Sequence, residues 1–287
     1  LNPSFDKSLK VSRTDMEVLD QLKSIGSHKG NLHDIGGAAV LLAQIVLPGV
    51  GLRRYCDELD LISSDMSLVS SAVTTLDDQI KVVQDVVYTG HGYHGDIASY
   101  DDPDNANLMR VIDRKKGLPV ALGILVIHAA RSQGWNIAGL NFPGHFLLRL
   151  SKLGEHAIIN PFPKARLILP DEMEQLLKRV YGSNIKLSRA FIKTVSDHDI
   201  LIRLQNNIKI RAVQAGNNKR ATEVLVSMNL IAPTNSDILL ELALSESAQG
   251  NYQGAIKRLT SFLESNPTTS NKASILDLKG KLKQNLS

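Results

Sequence analysis

The chain has 287 residues, of which 43% are hydrophobic, so it is long enough for one large or two smaller domains with a sizeable core. Only 5% of the residues are aromatic and the net charge of +4 comes from scattered basic residues, a composition that disfavours a base-stacking nucleic-acid surface. The single cysteine, Cys56, excludes an internal disulfide, so nothing in the sequence indicates an oxidising compartment.

The N-terminal part of the chain is predicted to be helical. The segment Leu1–Lys7 lacks the charged-then-apolar pattern of a signal peptide, and the apolar window from Ile35 to Leu52 is interrupted by Pro48 and four glycines. These features predict a cytoplasmic protein that does not enter a membrane. Apolar periodicity predicts helices over 36–46, 53–62 and 67–87, with turns at 90–96 and 101–105.

The middle of the chain combines one apolar helix with short strands. Residues 118–131 form a long apolar run that opens at Gly117 and Pro119 and is followed by Gly134, which predicts a buried helix. Strand-like segments follow at 135–140, 146–150, 156–159 and 167–169, and a helix is predicted over 171–181. This order of elements predicts an α+β domain.

A histidine in a Phe-Pro-Gly turn is the most informative local feature. His145 is the only side chain in the run 139–149 that titrates near neutral pH, and Gly and Pro impose an unusual backbone there. Asn160 ends the next apolar strand. A histidine and an acid or amide on adjacent strand ends is the arrangement in which a papain-like triad orients its base. No nucleophile accompanies them locally.

The last third of the chain repeats itself with a period of 34 residues. A glycine, a small alanine and a closing proline recur in one register, as in the tetratricopeptide helix-turn-helix unit. The matching pairs are Gly216 and Gly250, Asn217 and Asn251, Ala221 and Ala255, Leu225 and Leu259, and Pro233 and Pro267. Two such repeats and a last helix over 274–286 predict a short helical array.

The region 88–162 resembles bacterial transglutaminase-like proteins with C-terminal tetratricopeptide repeats, often described as invasion-regulator-like. The resemblance is carried, in order, by the segments 92–96, 100–105, 111–119 and 139–149. It implies an α+β fold in which a helical N-terminal segment leads into a transglutaminase-like, papain-like core over residues 1–198. All-α tetratricopeptide-type repeats then occupy residues 199–287.

The resemblance also implies where a catalytic site would lie. Active members carry a cysteine at the start of the central helix, then a histidine and an aspartate on successive strands. On this sequence Val120 and Ala121 occupy the nucleophile position, His145 the histidine position and Asn160 the acid position. The segment 163–166 also lacks the glycine pair usual in resembling proteins. The expected cleft residues are Asp102, Asn105, Asn141, Phe142 and Arg149.

Two functional hypotheses follow. The favoured one is a non-catalytic regulatory or scaffold protein, without cofactor or metal, that binds a protein or peptide partner through its repeats and degenerate cleft. The alternative is an amide or ester hydrolase or acyl transferase that uses His145 with a nucleophile from elsewhere, Cys56 being the only thiol. Because an Asn amide can orient an imidazole, Asn160 leaves enzymatic activity open.

A metal site at the 90–96 turn is a further alternative. His91 and His94, with three nearby aspartates, supply candidate ligands for zinc or iron, but no Cys or Glu completes a set. The turn at 102–105 is expected to cap a helix through its side-chain oxygens and to border the cleft.

Overall fold

The computed structural model describes residues 13–285, so the predictions about Leu1–Lys7 and Leu286 lie outside the described residues. The chain divides into two compact units. The sheet unit comprises residues 30–44 and 49–207, and the described part of the helical unit comprises residues 13–29, 45–48 and 208–285. No described helix combines the length and apolarity needed to cross a membrane.

Helices dominate both units. In chain order they are α1 (Arg13–Ser27), α2 (Ile35–Ile45), α3 (Arg53–Ser70), α4 (Leu76–Val83), α5 (Leu108–Arg114), α6 (Pro119–Ser132), α7 (Pro170–Tyr181), α8 (Asp197–Gln214), α9 (Asn218–Ile231), α10 (Ser236–Ala248), α11 (Tyr252–Ser265) and α12 (Lys272–Gln284). A π-helix (Gln84–Gly90) and two 3₁₀ helices (Pro103–Ala106 and Arg189–Ile192) complete them. The helices predicted at 36–46, 118–131 and 171–181 are confirmed.

The predicted break between residues 62 and 67 was wrong. Ile62 and Met66 are both fully buried one turn apart, so the apolar face continues and α3 runs unbroken. The predicted helix over 67–87 instead divides before α4. There the Thr75 side chain accepts a bond from the Asp78 amide and the Asp78 carboxylate accepts one from the Thr75 amide, a capping box that starts a new helix.

Two small sheets accompany the helices. The short strands β1 (His94–Gly95) and β2 (Lys116–Gly117) pair in parallel, and the sequence did not predict them because two residues carry no periodic signal. The larger sheet is antiparallel in sequential order: β3 (Asn136–Gly139), β4 (Leu148–Lys152), β5 (Glu155–Asn160) and β6 (Arg166–Leu167). The four predicted strand segments are therefore present, each near its predicted position.

The turn between β5 and β6 adopts a backbone that favours glycine. Lys164 and Ala165 have φ values of 57° and 51°. Both lie in the left-handed region, which costs a residue with a Cβ roughly 1–2 kcal/mol. This turn belongs to the segment 163–166, which lacks the glycine pair usual in resembling proteins. Lys164 and Ala165 therefore adopt a left-handed backbone that glycine would adopt with less strain.

The central helix α6 is buried along almost its whole length. A Cβ built on Gly123 would lie 2.4 Å from the Phe146 ring, so glycine allows the helix to approach the segment before β4 closely. At its far end Arg131 donates to the fully buried Asp197 at 2.6 and 2.9 Å, and the Leu32 amide donates to the same carboxylate at 2.7 Å. This paired carboxylate fixes the start of α8 against α6.

The helical unit repeats its backbone geometry every 34 residues. Asn217 and Asn251 each begin a helix by accepting an amide hydrogen bond from the residue three positions later. The residues that end these helices, Ala232 and Asn266, share nearly the same dihedral angles, with φ of −136° and −132° and ψ of 64° in both. The sequence period therefore corresponds to a structural period.

The structure divides the chain differently from the predicted boundary between residues 198 and 199. The division falls at residues 207 and 208, within α8, and α1 belongs to the helical unit. The reason lies in packing, because a Cβ on Gly26 would be 2.1 Å from the Leu230 carbonyl oxygen of α9. Residues far apart in sequence thus complete the C-terminal helices.

Candidate functional site

The turn that carries His145 is closed by the backbone. The Leu140 amide donates to the Leu147 carbonyl at 3.0 Å, which brings the two ends of the turn together. Gly144 has φ of 68°, and a Cβ there would meet Val180 at 2.5 Å. Glycine is therefore needed both for conformation and for space, and it sets the position of His145.

His145 and Asn160 form the pair that the sequence indicated. His145 Nε2 lies 2.9 Å from Asn160 Oδ1, and the Phe162 amide donates to the same Oδ1 at 3.1 Å. A backbone amide can only donate, so this Asn160 atom is an acceptor and Nε2 must carry the proton. In a neutral ring Nδ1 then keeps its lone pair, and no hydrogen bond to Nδ1 is present within residues 13–285.

Burial keeps this imidazole neutral. Loss of solvent lowers the pKa of His145 below its ordinary value of 6.5, and the positive charges of Arg203 and Arg179 lower it further. The hydrogen bond that His145 donates to Asn160 acts in the opposite direction and raises the pKa. At pH 7 the ring is therefore an uncharged, oriented base or hydrogen-bond acceptor.

The residues at the expected nucleophile position offer no reactive group. Val120 and Ala121 are buried in the first turn of α6 and carry only hydrocarbon side chains. Cys56 lies on the exposed part of α3. Desolvation, and then the nearby carboxylates of Asp34, Asp60 and Asp57, raise the pKa of its thiol, so Cys56 is not activated as a nucleophile.

The two expected cleft residues of the 102–105 turn, Asp102 and Asn105, form hydrogen bonds with neighbouring protein groups. Asp102 caps the 3₁₀ helix by accepting from the Asp104 amide at 2.9 Å and accepts from Arg114 at 2.7 Å. Asn105 is buried and donates to the Ser99 carbonyl at 2.6 Å. The predicted capping role is thus present, and these hydrogen bonds do not include His145.

The other expected cleft residues lie on either side of the histidine turn. The Asn141 amide donates to the Lys193 carbonyl at 2.8 Å, and its side chain borders a cavity of about 220 Å³. Phe142 is buried beneath the turn. Arg149 lies on β4 opposite Ala138 and Ile158, and its Nε is buried without a hydrogen-bond partner in the described chain.

Arg203 is a site residue that sequence reasoning missed. Its guanidinium lies on α8, donates to the Phe142 carbonyl at 3.2 Å and stands 5.4 Å from the centre of the Phe146 ring. It therefore contacts the residues on both sides of the His145 turn. No local pattern marked it, because its contacts are with residues far away in the sequence and the predicted boundary assigned it to the repeats.

The 90–96 turn holds an ion-pair cluster. His91 places Nδ1 3.1 Å from Glu58 and Nε2 3.0 Å from Asp65, while Lys115 also donates to Glu58. His94 is exposed, and its Nδ1 lies 3.2 Å from the Gly95 carbonyl. Among the described residues no group of three or more His, Cys, Asp and Glu side chains is placed to hold a metal ion.

A second histidine, His128, lies between a carboxylate and a hydroxyl, as the histidine of a catalytic triad does. His128 lies 3.0 Å from Asp34 through Nδ1 and 3.0 Å from the Ser63 hydroxyl through Nε2. Asp34 also accepts from the Gly37 amide, and the Ser63 hydroxyl donates to the Leu59 carbonyl within α3. A serine inside a helix has no free backbone amides beside it for an oxyanion, so this arrangement acts as a helix-to-helix link.

Comparison with known families agrees with this geometry. A family model described as "Transglutaminase-like superfamily" matches residues 53–206, more than half of the chain. The chain belongs to this superfamily. The transglutaminase-like domain so defined begins at α3 and contains His145, Asn160 and Arg203.

Bacterial relatives of the transglutaminase-like chain share the name "UPF0162 protein". The protein from Xylella fastidiosa is 29% identical over 185 residues, which cover 63% of this chain and 65% of the relative. The protein from Haemophilus influenzae is 25% identical over 210 residues, which cover 72% of this chain and 78% of the relative. The chain thus spans just under two thirds of the length of the Xylella relative.

A crystal structure of menin also aligns with this chain, with 10% sequence identity and a TM-score of 0.37. The alignment covers 86% of this chain and 68% of menin. These values are too low to establish a shared fold.

Proposed function

We propose that this protein is a non-catalytic, cytoplasmic member of the superfamily that acts as a regulatory or scaffold protein. The observation that supports this is an oriented His145–Asn160 pair in a chain whose expected nucleophile position holds only Val120 and Ala121. A base without a nucleophile cannot form an acyl-enzyme. The cleft is then a binding surface.

We further propose that α9 to α12 are tetratricopeptide-type repeats, as in the invasion-regulator-like proteins that the sequence resembles. The matching caps at Asn217 and Asn251 support this assignment. Such arrays present a groove to a peptide or helix. Within the helical unit a cavity of about 560 Å³ lies along α9, α10 and α11.

The lining of this groove indicates the chemistry of its partner. Leu239 and Phe262 supply an apolar floor, while Glu246 and Arg258 neutralise each other at 2.8 Å. Lys257 is exposed and makes no ion pair with any described residue. The groove therefore suits a peptide that carries an acidic residue next to an apolar one.

The non-catalytic proposal is tested by an acyl-transfer assay with activated ester and amide substrates. The intact protein is expected to show no turnover above that of His145→Ala and no acyl-enzyme by mass spectrometry. Turnover that His145→Ala abolishes would overturn the proposal. Loss of activity in Cys56→Ser would then identify the thiol enzyme that forms the alternative.

The groove is tested with an array of synthetic peptides that combine acidic and apolar residues. Lys257→Glu is expected to weaken their binding to the intact chain by about tenfold, because one charge-assisted contact is lost. Lys219→Glu makes the same charge change at an exposed position of α9 outside the groove lining and serves as the control. Equal effects of both variants would contradict a role for this groove.

A further inference from the structure

Arg203 is a partly buried cation that makes no ion pair with any residue the structure describes. Of its N–H groups, one donates to the Phe142 carbonyl at 3.2 Å, and its Cζ lies 5.4 Å from the centre of the Phe146 ring. No carboxylate of the described chain lies within ion-pair distance of it. A guanidinium has five N–H donors, so this side chain keeps unused donors beside the Phe146 ring.

Burial without a partner is costly for an arginine. Desolvation lowers the pKa of Arg203 from its ordinary value. A fixed cation of this kind is stabilised when an anion with matching planar geometry arrives, because a carboxylate accepts two parallel N–H bonds from the guanidinium. The single hydrogen bond that Arg203 donates to the Phe142 carbonyl leaves this capacity for two parallel hydrogen bonds unused.

The cavity beside Arg203 has the lining that such a ligand needs. Its volume is about 220 Å³, and Leu140, Phe146 and Ile200 supply apolar walls. Asn141 and Asn206 add amide groups at its edge. The carboxylate of Asp199 also borders it, but that group already accepts hydrogen bonds from the Ser196 amide and hydroxyl.

We propose that this cavity binds a carboxylate carried on a short apolar stem and held by the guanidinium of Arg203. The apolar walls favour a monoanion with a hydrocarbon stem over a phosphate, whose higher charge costs more to desolvate. The inference rests on the proposed use of the cleft for binding and names the chemical class of its ligand.

Binding of a carboxylate to Arg203 should change the pKa of the neighbouring His145. Arg203 and Arg179 are the cations whose charge lowers the pKa of His145, and Asn160 holds its Nε2. A carboxylate bound to Arg203 cancels part of this repulsion. The pKa of His145 should therefore rise on binding, by roughly 0.5 to 1 pH unit.

The test is an NMR titration of the His145 ring in the intact ¹⁵N-labelled chain, with 4-methylpentanoate at constant ionic strength. The neutral 4-methylpentanamide has the same stem without the charge, and inorganic phosphate has the charge without the stem. We expect a saturable shift and a raised His145 pKa with the carboxylate only. Absence of a saturable response to the carboxylate, or an equal response to the amide or to phosphate, would overturn the proposal.

Variants test whether carboxylate binding and the change in the His145 pKa depend on Arg203. Arg203→Met should weaken carboxylate binding at least tenfold and should raise the His145 pKa without any ligand. Arg53→Met removes the same charge from a side chain that is 95% exposed on α3 and should change neither property. If Arg203→Met does not fold, Arg203→Lys keeps the charge without the planar fork and should bind several-fold more weakly.

Unchanged affinity in a folded Arg203 variant would contradict the assignment. The acyl-transfer assay reports separately on the proposed function. Turnover that depends on His145 would contradict the non-catalytic role without contradicting the carboxylate site. An NMR titration in which the carboxylate causes no saturable shift would contradict the carboxylate site without contradicting the non-catalytic role.

Discussion

His145 donates through Nε2 to an amide oxygen at the position where active transglutaminase-like enzymes carry a carboxylate. Asn160 orients the ring as a carboxylate would, and the Phe162 amide holds Asn160 in place. An uncharged amide stabilises the imidazolium less than a carboxylate would, and two nearby arginines oppose protonation. At the scale of single residues the site therefore favours a neutral ring, which suits recognition better than proton transfer to a leaving group.

The neutral ring predicts a pH dependence of stability. The pKa of His145 is lower in the folded chain than its ordinary value of 6.5, so the unfolded chain binds more protons as the pH falls below 6.5. The free energy of unfolding should therefore decrease below about pH 6.5, by at most about 1.4 kcal/mol per pH unit from this group.

Urea denaturation between pH 7.5 and 5.5 measures this effect. Trp135, the single tryptophan, reports on the sheet unit by fluorescence. His145→Gln cannot titrate and should lose less stability over this interval than the unmodified chain. Parallel pH profiles for the two proteins would show that His145 does not contribute.

At the scale of elements, close contact between α6 and the segment that joins His145 to β4 positions the site. Gly123 and Gly139 both lie against the Phe146 ring, and Phe146 follows His145 directly. A helix with a bulkier residue at position 123 would push this segment away. The apolar pattern of α6 predicted a buried helix, but the pattern alone did not show which residue it would contact.

Gly123→Ala should destabilise the sheet unit by about 1–3 kcal/mol, because the added methyl group overlaps an aromatic ring in a packed core. The measurement is urea denaturation followed by Trp135 fluorescence. Gly280→Ala is the matched control within α12, where a Cβ would meet no heavy atom within 4 Å. That variant should stabilise its helix by about 0.5–1 kcal/mol, since alanine loses less backbone entropy. A neutral Gly123→Ala would contradict the described packing.

At the scale of the whole molecule, the two units are not consecutive stretches of the chain. The helical unit combines α1 with the C-terminal helices, and the division falls within α8. Sequence reasoning placed the N-terminal helix with the core domain because the two are adjacent in the chain. The contact between Gly26 and the Leu230 carbonyl shows why α1 instead packs on α9.

Gly26→Ala tests this placement of α1. A Cβ would lie 2.1 Å from a backbone oxygen that cannot rotate away, so the variant should lower the stability of the helical unit by roughly 1–3 kcal/mol. Thermal unfolding followed by far-ultraviolet circular dichroism measures the change, with Gly280→Ala in the same unit as the control. Unchanged unfolding of Gly26→Ala would contradict the packing of α1 on α9.

Local sequence was sufficient for the central helix, the positions of the four strands along the chain, the 34-residue period and the pair of His145 and Asn160. Each depends on spacing along the chain or on a turn motif, which neighbouring residues specify. The place of Arg203 beside the histidine turn and the place of α1 against α9 were decided only in three dimensions. Contacts between distant residues leave no periodic signal, because packing and burial select them after the elements have formed.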